Sequence, residues 1–275
     1  MYWLLTDETN VDPAQGAFFI YGGLVMNDEQ LCQLHQQVKE IRANRGYRPG
    51  DSLKFQLAAR PEHVTQEQAR LAKQEVLQAA ERVGVRLIVN VILHAIAGTD
   101  TRRKMQFAMN TVLFNYYWLL GIEAATGVVS IDRVDEAYGY AYLKEVFQRG
   151  LTFQSGAGGQ LDDRIVHYGM SSDNASHISS VVDIALGGFR YCVNTAGGKG
   201  RTEIAGDTFP TLARLMWSQE VDGRKHIGGY GYIERSRTVK VAQYEAQYTE
   251  LRAALVAFSQ ADTTAPKNAP GEMRD

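Results

Sequence analysis

The sequence predicts an α/β fold, and three observations carry the prediction. Short apolar, β-branched stretches recur between longer stretches that are apolar every third or fourth residue. Capping residues, glycines and prolines fall at the joints between them. Two of the short stretches, YWLLTDE near the start and GVVSIDR in mid-chain, finish on carboxylates, as strands do at the rim of an α/β sheet where ligands gather.

Taken in order, Tyr2 to Thr6 and the stretch GAFFIYGGLVM from Gly16 to Met26 read as two strands of a hairpin joined by VDPAQG. Asp28 is placed to cap a helix in which Leu31, Leu34, Val38 and Ile41 recur at helical spacing, and RGYRPGDSLKF ends it in a loop. A second helix starts at Pro61 or Thr65, shows Ala69, Ala72, Val76, Ala80 and Val83 on one side, and closes at Gly84. VRLIVNVILHAI is then a third strand. Thr99 or Asp100 caps a long helix striped by Met105, Ala108, Met109, Val112, Tyr116 and Leu119, which ends near Gly127.

GVVSIDR is short enough and apolar enough for a buried central strand. A helix from about Glu136 to Gln148, the loop SGAGGQ, the strand RIVHYGM and a helix from Ser176 to Asn194 complete a core of residues 1–197. A helical C-terminal extension, residues 198–260, follows with GGKGR, a helix around Leu212 to Glu220, the glycine-rich GGYGYIE and a helix from about Val239 to Phe258. The polar, proline-bearing residues 261–275 are expected to be disordered.

Composition narrows the function. A hydrophobic share of 45% and a charged share of 22% in 275 residues are those of an ordinary globular chain with room for a large core. The net charge of −2 and a pI near 6.3 supply no overall attraction to nucleic acid, so any such contact must come from local basic patches. Cys32 and Cys192 are far apart, form no metal-binding spacing and read as buried thiols of a reducing compartment. The start lacks the features of a signal peptide, and no stretch approaches the roughly 20 apolar residues of a membrane span. A cytoplasmic protein without a membrane partner is expected. GGKGR follows a helix and has Gly200 where a phosphate-binding loop needs Ser or Thr. SGAGGQ and GGYGYIE lack the strand context of a dinucleotide fingerprint.

The acids are more informative. Asp7 and Asp132 each end an apolar strand, and strand ends side by side in one sheet bring two like charges close enough to need a proton or a cation between them. Asp183 is the candidate third member. On its helix Ser176, Ser179, Ser180, Asp183, Gly187, Arg190 and Asn194 share one stripe, opposite an apolar arc of Ile178, Val181, Val182, Ala185, Leu186, Phe189 and Val193. That stripe either faces water or, because Ser and Gly replace the usual Lys and Glu, admits a ligand or another backbone. Glu8 cannot share a face with Asp7 unless the strand bends or ends there, so it either reaches the same cation from the strand terminus or stands one step back and holds Lys54 or a water.

In their order along the chain these stretches resemble the domain of unknown function 3800 family, whose members are similar to ribonuclease H-like folds. The family's amino-terminal Asp-Glu-Ser matches Asp7-Glu8-Thr9, followed by FFIYGGLVM. Its Glu-x-Lys falls on Ser52-Leu53-Lys54, its strand-ending Asp on Asp132, and its Gln-x-x-Asp on Ser180-Val181-Val182-Asp183. Ser52 replaces the family's Glu, with Asp51 one place away, and Ser180 replaces its Gln. The resemblance implies a mixed sheet with helices on both faces and a carboxylate cluster binding Mg²⁺ or Mn²⁺, which suits oxygen-only ligands.

The function expected on these grounds is a metal-dependent phosphodiesterase, a nuclease acting on DNA or RNA. Asp7, Asp132 and Asp183 would hold the metal, with Glu8 or Asp51 completing the shell. Lys54 reads either as a holder of the scissile phosphate or as a surface lysine after a turn. Arg102, Arg103 and Lys104, in a first helical turn where cations oppose the macrodipole, and Lys199 and Arg201 in GGKGR read either as phosphate contacts or as solubilising patches. The alternative to a nuclease is a catalytically inactive module of the same fold that binds nucleic acid or a protein partner. A structural subunit is the third reading, marked by an apolar patch beyond residue 200.

Overall fold

The computed structural model describes residues 1–98, 100–132, 135–152, 158–171, 176–235 and 239–259. Strands β1 (Tyr2–Thr9) and β2 (Phe18–Asn27) lead into α1 (Asp28–Asn44) and α2 (Gln66–Val83). Next come β3 (Arg86–Leu93), the single turn α3 (His94–Ala97), α4 (Thr101–Ile122), β4 (Gly127–Ile131), α5 (Glu136–Arg149) and the two-residue strands β5 (Leu151–Thr152) and β6 (Gly158–Gly159). The chain continues through β7 (Ile165–Met170), α6 (His177–Ala196), α7 (Thr202–Leu215), β8 (Gln219–Val221), β9 (Arg224–His226), β10 (Tyr232–Arg235) and α8 (Ala242–Ser259).

Local chemistry sets the joints. Asn27 rather than Asp28 caps α1, in a reciprocal pair with Gln30, while Asp28 accepts from the Trp3 indole and the terminal amine. Thr65 and Gln68 form the same kind of box at α2, which Gly84 closes in the left-handed conformation. Asp100 caps α4 and Ser176 caps α6.

Six strands form one mixed sheet in the order β10-β3-β2-β1-β4-β7. β2 runs antiparallel to both β1 and β3, whereas β4 pairs parallel with β1, β7 with β4, and β10 with β3. Strand alternation divides the core. Ile20, Leu24, Val89 and Val91 face α1, α2, α6, α7 and α8 through residues such as Leu34, Val76, Val181, Phe189, Phe209 and Tyr248. Leu4, Phe19, Tyr21, Ile88, Val129 and Ile131 face α4 and α5 through Met105, Met109, Val112, Tyr142 and Val146. The α/β class and the mixed sheet are as expected.

Several expectations are corrected. The third strand stops at Leu93, where the His94 amide donates to the Ala17 carbonyl and the chain turns. The helix expected near Leu212 to Glu220 is α7, which starts at Thr202 and runs through Pro210; Gln219 and Glu220 belong to β8. GGYGYIE contributes β10 to the main sheet, so the segment from residue 198 onward is part of that sheet as well as helical cover for it. Cys192 is buried, but Cys32 is exposed on α1. Residues 155–157 of SGAGGQ, Thr99 and the tail 261–275 lie outside the described residues. No helix among the described residues is long and apolar enough to cross a membrane.

Candidate active site

The register of β1 and β4 places the first two acids. Thr6 pairs with Ile131, and the Asp132 amide donates to the Thr6 carbonyl at 3.0 Å, so Asp7 and Asp132 follow at the same level on neighbouring parallel strands. Their backbones are about 5 Å apart, the spacing of a sheet. Backbones that close let the two carboxylates approach each other, and like charges brought together favour a proton or a cation between them.

Helix α6 crosses the face that these acids share. Leu5, Thr6 and Asp7 from β1, Asp132 after β4, Ser171 after β7, and Ser179, Val182 and Asp183 from α6 line one pocket. The polar stripe of α6 therefore meets protein and pocket rather than open water. Ser179 and Asp183 line the cavity, Gly187 packs against Phe55, and Asn194 bonds to Asn10 and to the Gln15 carbonyl.

The acids have distinct local partners. Asp7 Oδ1 accepts from the Glu8 amide at 2.7 Å, and Asp183 Oδ2 accepts from the Phe55 amide at 2.6 Å. Glu8 stands opposite Tyr21 in the sheet and is absent from the pocket lining, as alternation along the strand requires. Burial, followed by the charges of Asp7 and Asp132, pushes its carboxyl up to about 7. The same surroundings raise the Tyr21 phenol, whose oxygen lies 2.6 Å from the Thr6 hydroxyl. The Ser179 hydroxyl is buried without a hydrogen-bond partner at the pocket wall, and that of Ser52 is likewise unpartnered.

The remaining predicted residues are spread out. Asp51 accepts from the Arg48 amide and pairs with His63 at 3.1 Å, which directs it away from the lining. Lys54 is half-buried next to Phe55 and is not a lining residue. Arg102 and Arg103 are exposed on α4, across the sheet from α6, over the rings of Tyr138 and Phe107 at 5.9 and 5.5 Å. Lys104 corrects the basic triplet: it is only 4% exposed, its ammonium lying 3.0 Å from His94 Nδ1 and 5.2 Å from the Phe19 ring centre, so a backbone phosphate cannot reach it. Lys199 and Arg201 are exposed beyond the far end of α6, about 20 Å along its axis from Asp183.

Sequence reasoning missed Lys73 on α2. Its ammonium donates to the Phe55 carbonyl at 2.9 Å, and burial lowers its pKa against the opposing pull of Asp183. No motif marks it, because it reaches the site only through a loop brought in from elsewhere.

Among the described residues no group of three or more His, Cys, Asp and Glu side chains forms a ready metal shell. The three aspartates line one pocket, yet Asp7 and Asp183 are each drawn to a backbone amide. No protein-family model, curated protein or solved structure matches the chain.

Proposed function

We propose that the protein is a metal-dependent phosphodiesterase of ribonuclease H-like fold, a nuclease acting on DNA or RNA. The observation that supports this reading best is the level pairing of Asp7 and Asp132 on adjacent parallel strands, with Asp183 of α6 lining the same pocket. The resemblance implies acids at the ends of two central strands and on a late helix, in a mixed sheet covered on both faces. The donor chemistry suits Mg²⁺ or Mn²⁺: the polar lining is carboxylate and hydroxyl oxygen, with neither sulfur nor imidazole, and one of its hydroxyls, Ser179, is buried without a partner. Asp7, Asp132 and Asp183 would hold the ion. When bound, it would supply an activated water and charge stabilisation at the phosphodiester.

The chain's own residues have separable tasks. The parallel pairing of β1 with β4, which runs to Thr6 and Ile131, sets the separation of Asp7 and Asp132. Glu8, behind them on the other face, adds negative charge that favours a bound cation whenever it is ionised. Lys54, beside Phe55 on the loop that meets α6, is the group proposed to hold a substrate phosphate. Arg102, Arg103, Lys199 and Arg201 would contact a nucleic-acid backbone only at a distance from the pocket.

A second reading, an inactive module that binds nucleic acid or a protein partner, is favoured by the missing ready-made shell among the described residues and by Ser52 and Ser180 at the family's Glu and Gln positions. One experiment separates the two. Purified protein with millimolar Mn²⁺ is expected to cleave single- or double-stranded DNA or RNA and to melt at a higher temperature than without the ion, because a ligand of the native state must stabilise it. Asp132→Asn should keep its circular dichroism spectrum and lose cleavage by a factor of about 100 or more. Undiminished cleavage in Asp132→Asn, or a wild-type melting temperature indifferent to Mn²⁺, would remove the nuclease reading.

A further inference from the structure

We propose that Lys73 is the positioning residue for Asp183, acting through the backbone of Phe55. The proposal rests on the reading of Asp183 as a member of the site, and its main test needs neither metal nor activity.

Phe55 is gripped at both ends of its main chain. Its amide donates to Asp183 Oδ2 at 2.6 Å, and its carbonyl accepts from Lys73 Nζ at 2.9 Å. The same ammonium lies 5.0 Å from the centre of the Phe55 ring. The side chain is fitted to α6 by the lack of one at Gly187, where a Cβ would sit 2.4 Å from the Phe55 Cβ. Lys73 itself is absent from the pocket lining. Helix α2 thus fixes the carbonyl, α6 fixes the ring and the amide, and the bond from that amide helps to orient the Asp183 carboxylate.

The physical consequence is coupling. A hydrogen bond with a charged partner is stronger than a neutral one and is lost steeply as geometry degrades. Releasing the Phe55 carbonyl frees the 55–56 peptide group, rotation about the Phe55 backbone carries the 54–55 group with it, and the amide bond to the Asp183 carboxylate loosens. Lys54 shares the 54–55 peptide group with the Phe55 amide and moves with it. The half-buried ammonium, whose pKa is lowered by desolvation, is directed to the Phe55 carbonyl by this arrangement.

Amide exchange by NMR on the full, metal-free chain tests this. In Lys73→Met the Phe55 amide is expected to exchange about tenfold faster or more, the scale of one hydrogen bond to a charged group, while the Val89 amide in β3 is unchanged. Lys73→Arg should restore slow exchange. Gly187→Ala, which leaves every charge in place, should accelerate Phe55 as Lys73→Met does. In the double variant Lys73→Met/Asp183→Asn, Phe55 should exchange no faster than in the more affected single variant, because both act on the main chain of one residue. Multiplying rates in the double variant, or an unmoved Phe55 amide in Lys73→Met, would overturn the proposal. If Mn²⁺ fails to stabilise the wild type while the exchange cycle behaves as expected, the nuclease reading falls and the positioning of Asp183 by Lys73 stands.

Discussion

A cation in the first turn of a helix opposes the macrodipole at a cost of a few tenths of a kcal/mol, and Lys104 shows how a protein can offset that cost internally. Its ammonium lies against the Phe19 ring and between the Val11 carbonyl and His94 Nδ1, while His94 Nε2 faces the Asn10 carbonyl at 2.9 Å. The imidazole is therefore neutral, with its proton on Nε2. Burial, then the nearby Lys104, lowers the His94 pKa, against smaller upward pulls from Asn10 and Asp12. The unfolded chain takes up this proton first as pH falls. The contribution to stability is complete above about pH 6.5, the ordinary histidine value, and drains away as pH drops towards the depressed folded value. Glu8, whose carboxyl is raised to about 7, acts in the opposite sense but equally in wild type and His94→Gln, so comparing the two isolates His94. The wild type should be the more stable by about 1 kcal/mol at neutral pH, and its advantage in melting temperature should shrink as pH falls below about 6.5. Parallel pH profiles for the two proteins would show that His94 is not the group responsible. RRK in the sequence could not reveal that its third member turns inward, since the partners come from β2, α3 and the loop after β1.

The elements with a short apolar run or a clean helical stripe were legible: β1, β2 and β4 follow from their runs and α6 from its stripe. Asp132 does follow the end of β4, but Asp7 does not end its strand, because β1 stays paired with β2 through Glu8 to Thr9. The relation of Glu8 to Asp7 was legible too, because period-two alternation forbids them one face. Elements defined by distant partners were not. β10 reads locally as a glycine-rich loop and becomes a strand only beside β3; α7 is masked by Pro210, a residue that ordinarily ends a helix. Within β2, the pair Gly22-Gly23 is a structural demand of the site strand. A Cβ at Gly23 would lie 2.4 Å from the Leu5 carbonyl oxygen, two residues before Asp7. Backbone cannot step aside as a side chain can, so Gly23→Ala should destabilise the protein by about 1–3 kcal/mol and displace the end of β1. The urea midpoint measures this, and an unchanged midpoint would mean that the two strands adjust freely.

At the scale of the whole molecule the question is whether residues 198–259 are cover or framework. Tyr232 to Arg235 pair with Val89 to Ile92, the Trp217 amide donates to the Leu87 carbonyl, and the Asn90 side chain donates to the Ile233 carbonyl. The Leu93 amide donates to the Tyr248 hydroxyl, inside the core. Phe209, Leu212, Tyr232, Tyr248 and Leu255 are buried against the same sheet face that α6 covers. At about 1.5–3 kcal/mol for each large apolar side chain, those five alone represent on the order of 10 kcal/mol, a figure comparable with the entire stability of an ordinary domain, about 5–15 kcal/mol. Cutting the chain after residue 197 would also remove the partner of the Asn90 side chain and open a strand edge along β3. A chain of residues 1–197 should therefore show no cooperative urea transition and no dispersed amide spectrum, whereas the full chain shows both. Because α6 would lose its cover from α7 and α8, the pocket that gathers Asp7, Asp132 and Asp183 should vanish with the fold. A sigmoidal transition in the short chain, with a native-like dichroism spectrum, would establish the opposite: a self-sufficient five-stranded core to which the rest is an attachment.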